Sequence, residues 1–166
     1  MINWAEFEKL PGGAQHNFEI LSRALIRLHY GRYGQFFALA NQPGVEFHLR
    51  LQENCALGVA GRWIGWQCRW YDLPRGAALG TTRRKQIEDA LIKTAKFLPD
   101  LTDWVLWTRY PLSKTDQNWF YAIKTCMKLD LWTSVDAETL LSGDAEILRR
   151  TYFGELLFTP TACATT

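Results

Sequence analysis

The sequence lacks a strong charge bias. Its 19 Lys and Arg nearly balance 17 Asp and Glu, for a formal net charge of +2. Whole-chain electrostatics therefore do not mark a nucleic-acid binder, and any such binding must come from a local basic patch. Cysteine motifs are missing too. Four Cys stand at positions 55, 68, 126 and 163, and no pair has zinc-ligand or redox spacing. Free thiols in a reducing cytoplasm are expected. No apolar run approaches the ~20 residues needed to cross a bilayer. The N-terminus, Met1-Ile2-Asn3-Trp4-Ala5-Glu6, has no basic-then-apolar signal pattern. The expectation is a soluble cytoplasmic protein with no membrane partner. A phosphate-binding Gly-rich loop, a nucleophile elbow and an HExxH motif are all absent. So are internal repeats and low-complexity segments.

What is present suits one globular domain. The chain has 166 residues, 48% of them hydrophobic, and eight Trp. A domain of this size buries roughly 68–70% of its unfolded surface, enough for its own core. Trp4 to Leu10 is a short amphipathic piece stopped by Pro11-Gly12-Gly13. Phe18, Leu21, Leu25 and Leu28 fall at helical spacing, predicting a first helix from about Asn17 to Tyr30. A second helix is predicted from near Thr82 to Pro99, with Ile87, Leu91 and Leu98 on its buried stripe. Trp104 to Trp107 reads as a strand, Thr115 to Lys124 as a helix and Leu129 to Trp132 as a last strand. Two helical pieces follow, with Asp136 and Asp144 as expected N-caps. The order predicts an α/β sandwich around a mixed sheet.

The most informative stretch runs from Pro43 to Tyr71. Val45, Phe47, Leu49 and Leu51 alternate with Glu46, His48, Arg50 and Gln52. Ile64, Trp66, Cys68 and Trp70 alternate with Gly65, Gln67, Arg69 and Tyr71. Period-two alternation on both sides of Gly58-Val59-Ala60-Gly61 predicts two neighbouring antiparallel strands. If both apolar faces point to the core, Glu46, His48, Gln67 and Arg69 share the opposite face. Carboxylate and amide oxygens suit a hard cation such as Mg²⁺. A half-exposed sheet with ordinary polar outer positions carries the same periodicity.

Gly44-Val45-Glu46, then a strand, then Gly65-Trp66-Gln67-Cys68-Arg69-Trp70-Tyr71, resembles the core motif of the PD-(D/E)xK nuclease superfamily. It is most similar to the Mrr-like branch, in which Gln stands in the (D/E) place. The resemblance extends through Arg84-Lys85-Gln86-Ile87-Glu88, Pro99-Asp100-Leu101-Thr102, Trp104 to Pro111 and Tyr152-Phe153-Gly154. It covers roughly Phe18 to Leu156 and looks like the nuclease effector domains of bacterial antiphage STAND-type NTPases.

The resemblance implies a restriction-endonuclease-like sandwich, a central mixed β-sheet flanked by helices. A nuclease-like domain is expected over residues 1–158, and 159–166, small and polar with no core pattern, reads as a tail or the start of a linker. Glu46, Gln67 and the Cys68 backbone carbonyl would hold Mg²⁺ or Mn²⁺, and Glu19 on the first helix would assist. Arg69 stands where the family has its catalytic Lys. Arg keeps the positive charge but is planar and effectively never neutral. The implied activity is metal-dependent cleavage of double-stranded DNA by a homo-oligomer, brought together by a fused or associated STAND-type NTPase. An attenuated or inactive DNA-binding module, and a plain protein-interaction domain, are the alternatives.

Arg83, Arg84 and Lys85 are expected at a helix N-terminus. The macrodipole disfavours cations there by roughly 0.3–1 kcal/mol each, whereas free N–H groups at such an end bind phosphate. DNA backbone contact is one expectation for them, and a solvated basic turn is the other. His48, on the Glu46 side, is expected at the rim, as an outer contact to substrate. Trp66, Trp70, Trp104 and Trp107 fall in strand patterns and are expected in the core.

Overall fold

A computed structural model describes residues 2–38 and 43–154. The expected tail at 159–166 lies outside the described residues. Five strands lie side by side in sequence order in one sheet: β1 (Gly34–Phe37), β2 (Phe47–Leu51), β3 (Trp63–Arg69), β4 (Asp103–Thr108) and β5 (Lys128–Trp132). β1, β2 and β3 pair antiparallel, and β3, β4 and β5 pair parallel. The change of sense follows from the connections. A loop joins β2 to β3, whereas a parallel neighbour needs a longer crossover. Helices α3 (Gly80–Phe97) and α4 (Lys114–Tyr121) supply the two crossovers.

The protein is thus α/β, a mixed sheet flanked by helices on both faces. On one face Phe47, Leu49, Trp66 and Trp107 pack with Phe18, Leu21, Leu25 and Ile26 of α2 (Ala14–Tyr30). α1 (Trp4–Glu8), α5 (Ser134–Leu141) and α6 (Glu146–Phe153) add to that layer. On the other face Val45, Trp104 and Leu106 pack with Ile87 and Leu91 of α3 and Phe120 of α4. No helix among the described residues is long and apolar enough to cross a membrane.

Several local expectations are adjusted. The buried stripe of α2 is Phe18, Leu21, Ser22, Leu25 and Ile26, at i, i+3, i+4, i+7 and i+8. Leu28, expected on that stripe, is half exposed. The N-cap of α5 is Thr133, and Asp136 is its reciprocal partner in a capping box. Asp144 caps nothing, since α6 starts after Ala145 and has no side-chain cap. Cys55, Cys68 and Cys126 carry free thiols.

The sheet face that carries Gln67 and His48 is not half-solvated. Each of these residues is only 4% exposed: Gln67 faces α3, and His48 is enclosed by Phe37 and Trp63. One glycine allows the close approach to α3, and a second admits Val45 over β3. At Gly44, φ is +83°, and a Cβ would meet Thr94 Oγ1 at 2.2 Å and the Thr94 backbone nitrogen at 2.6 Å on α3. At Gly65, a Cβ would press on Val45 Cγ1 at 2.9 Å. Small residues here let the strand lead into β2 lie against the helix.

Candidate functional site

The register of β2 on β3 builds the site. Phe47 pairs with Trp66 and His48 with Gly65. One step further out, Glu46 faces Gln67, and its N–H donates to the Trp66 carbonyl at 2.9 Å. The end of β3 then delivers Cys68 and Arg69 beside the same carboxylate. Glu46 Oε2 accepts from the Cys68 N–H at 2.7 Å, and Oε1 accepts from Arg69 Nη1 at 2.8 Å.

Arg69 Nη1 lies among oxygens from three parts of the chain. It donates to Glu46 Oε1 and to the Cys68 carbonyl, each at 2.8 Å. In the amide orientation that satisfies its neighbours, Gln67 donates its nitrogen to the Gly44 carbonyl at 2.7 Å, which turns its oxygen to Arg69 Nη1 at 3.0 Å. That oxygen also accepts from Nη2. Glu19 Oε1 on α2 is 3.9 Å from Nη1. The oxygens named from sequence for a metal, those of Glu46, Gln67, Cys68 and Glu19, therefore do converge. The group at their centre is the Arg69 guanidinium.

Gln15 holds the α2 side of this arrangement, and nothing in the strand pattern pointed to it. Its amide oxygen accepts from the Trp70 N–H at 2.6 Å. Its amide nitrogen donates to the Cys68 carbonyl at 2.9 Å and to Glu19 Oε1 at 2.7 Å. The side chain acts as a short strand edge continuing β3 and orients Glu19 from one helical turn away. The available signal was its i, i+4 spacing to Glu19.

Electrostatics follow from the geometry. Burial pushes the Glu46 carboxyl up to about 7, against the pull of the Arg69 charge and the Cys68 N–H, and with Glu19 adding to the rise. Burial also raises Tyr71 to about 12, with Arg69 and Arg83 pulling the other way. The Tyr71 hydroxyl is buried with no hydrogen-bond partner among the described residues. Cys68 points to the opposite, apolar layer, and burial raises its thiol well above the usual range.

The site opens into a cleft of about 420 Å³ lined by Glu46, Gln67, Arg69 and the α3 residues Gln86, Asp89 and Lys93. These three recur at i, i+3 and i+7, beside the buried stripe of α3. They are the polar wall that strand periodicity cannot reveal.

The expected DNA contacts divide. Arg84 is committed internally: Nε donates to Asp116 Oδ1 at 2.9 Å, and its guanidinium lies 4.9 Å from the Trp119 ring centroid. Asp116 also accepts from the Leu79 N–H at 2.9 Å, so a carboxylate of the chain itself already serves the start of α3. Arg83 donates to the Leu79 carbonyl at 3.3 Å, whereas Lys85 is exposed. His48 is placed inside the fold and not at the rim. Its Nδ1 accepts from Trp63 Nε1 at 2.8 Å, its ring stacks on Phe37 at 4.6 Å, and burial lowers its pKa to about 4.

Two carboxylates, an amide oxygen and a peptide carbonyl are the hard donors that Mg²⁺ takes, so the donor set fits a divalent cation. Among the described residues no three His, Cys, Asp or Glu side chains gather as a metal-holding group. The set depends on Gln67 and the Cys68 carbonyl to complete it. Set against known proteins, the chain matches no family model and no curated protein sequence.

Proposed function

We propose that this chain is a metal-dependent DNA endonuclease domain of the PD-(D/E)xK, Mrr-like type, on a restriction-endonuclease-like sandwich. The observation that carries the reading is the convergence of Glu46, Gln67, Cys68 and Glu19 oxygens on one cationic centre at the mouth of a polar cleft. Glu46 Oε1, the Gln67 amide oxygen and the Cys68 carbonyl would hold Mg²⁺ or Mn²⁺, with Glu19 assisting across the site. Bound there, the ion supplies polarisation of a phosphoryl oxygen and a lowered pKa for an attacking water.

The chain's own residues do the rest. Gln15 fixes the direction of the Cys68 carbonyl and of Glu19. Lys93 on α3 meets the phosphodiester backbone entering the cleft, with Lys85 further along the same helix. Arg69 offsets negative charge on the phosphate that reacts. By the same resemblance, the domain serves as the effector of a bacterial antiphage protein in the cytoplasm, acting on double-stranded DNA as a homo-oligomer assembled by a STAND-type NTPase.

The test is cleavage of supercoiled plasmid with Mg²⁺ or Mn²⁺ by wild type, Glu46→Ala and Arg69→Lys. Nicking by wild type that falls at least about a hundredfold in Glu46→Ala is expected, the scale of losing a principal group of a site. Equal activity in wild type and Glu46→Ala sinks the assignment. A second reading, a DNA-binding module of the same fold without turnover, is favoured by one observation: the guanidinium fills the centre of the oxygen cluster. Intact DNA binding with no cleavage by any variant selects it.

A further inference from the structure

Arg69 has two jobs in the reading above that it cannot do from one position. To offset charge on a phosphate it must face the cleft, yet its guanidinium sits inside the oxygen cluster. Nη1 is 2.8 Å from Glu46 Oε1, 2.8 Å from the Cys68 carbonyl and 3.0 Å from the Gln67 amide oxygen. A divalent ion held by Glu46, Gln67 and the Cys68 carbonyl would need those same oxygens, typically at about 2.0–2.1 Å for Mg²⁺, with no positive group among them. The two cations therefore exclude each other sterically and by charge.

We propose that Arg69 is a built-in stopper of the cation site, and that its guanidinium and a divalent cation occupy the oxygen cluster in turn. The inference rests on the metal-site reading and adds to it that the resting site is closed from within. Three features support exchange over a fixed ion pair. The side chain stays about one-third exposed, so it is not locked in by packing. The cleft beside it gives it room to swing. Asp89 on the opposite wall, or a phosphodiester, offers a guanidinium another partner there.

A ligand whose site is open only part of the time binds more weakly by that fraction. Removing the stopper must therefore tighten cation binding. Mn²⁺ binding, followed by electron paramagnetic resonance of the free ion, is measured for wild type, Arg69→Ala, Arg69→Met, and Arg69→Met combined with Glu46→Gln. The Met variant keeps side-chain length and apolar packing should the Ala variant fail to fold, and circular dichroism melts check each protein. Expected is tightening of at least about tenfold in Arg69→Met, as for a site open one-tenth of the time or less, and loss of that binding when Glu46→Gln is added. In wild type, the Arg69 ¹⁵Nε–H resonance should shift as diamagnetic Mg²⁺ saturates the site. Equal Mn²⁺ affinity in wild type and Arg69→Met, with an unmoved Arg69 resonance, overturns the stopper and leaves the metal site standing. No Mn²⁺ binding by any folded variant overturns both.

Discussion

Asp116 and Arg84 form an ion pair that ties the start of α4 to the start of α3. Asp116 is fully buried, and Arg84 Nη2 lies 2.8 Å from its Oδ1. The same carboxylate accepts from the Leu79 N–H and from Ser113 Oγ, each at 2.9 Å. α3 is the wall of the candidate cleft, so this pair fixes where Gln86, Asp89 and Lys93 stand.

Asp116→Ala should cost about 2–4 kcal/mol, since it strands a buried N–H and a half-buried guanidinium together. Lys85→Ala, on an exposed side chain, should stay within about 0.5 kcal/mol. Urea midpoints at unchanged slope check both. The pH dependence has a definite sign. Burial pushes the Asp116 carboxyl up, but the Leu79 N–H, Arg84 and Ser113 outweigh it and hold it below its ordinary value. A depressed acid adds stability above its unfolded pKa, near 3.8, and loses it as pH falls through the lower folded value. Wild type should therefore lose more stability than Asp116→Asn on acidification below about pH 4.

Gly44→Ala should destabilise by at least about 2 kcal/mol, because it combines positive φ with a clash that backbone must relieve. The clash is with Thr94 Oγ1 and the Thr94 nitrogen of α3, at 2.2 and 2.6 Å. A thermal melt measures the loss. Gly76→Ala, at a positive φ but with open space around it, should cost less, since strain acts there alone.

Gln15→Ala should lower stability by about 1–3 kcal/mol, as it strands the buried ends of its hydrogen bonds to Trp70 and Cys68. It should also weaken Mn²⁺ binding in the Arg69→Met background, because Glu19 loses its bracket at 2.7 Å. Gln15→Glu would place a carboxylate against the Cys68 carbonyl and Glu19, and should be the more damaging change to stability.

The candidate DNA contacts can be separated by salt dependence. Lys93→Ala should weaken duplex binding and reduce the salt slope by about 1, with an unchanged melting temperature. His48→Ala should leave the slope alone and cost about 1–3 kcal/mol of stability, because Trp63 Nε1 loses its acceptor and Phe37 its stacking partner. Fluorescence anisotropy at several salt concentrations reads the first effect and denaturant unfolding the second.

Much of the fold was legible from local pattern. The alternation in Val45–Leu51 and Ile64–Trp70 located β2 and β3, and the spacing of Phe18, Leu21 and Leu25 located α2, because each element must bury one face. The errors came from the same source. Periodicity says which side of a strand is polar but not whether a helix covers it. His48 and Gln67 were therefore expected at an open face, but Gln67 lies against α3 and His48 between Phe37 and Trp63. Arg84 shows the complementary limit, since its partner Asp116 is 32 residues away and no local signal couples them. Gln15 is similar: its bonds to Cys68 and Trp70 join segments 53 and 55 residues apart.

By itself the sequence determined the element order, the mixed sheet and the residues that supply hard oxygens. Those follow from side-chain alternation and from the chemistry of Glu, Gln and the peptide carbonyl. Only the tertiary structure decided how those oxygens are used. The register of β2 on β3 and the placement of α2 bring Glu46, Gln67, Cys68 and Glu19 to one point, and the reach of Arg69 puts a positive charge there. That outcome depends on distances of 2.8–3.9 Å between residues up to 50 positions apart, which no one-dimensional pattern encodes.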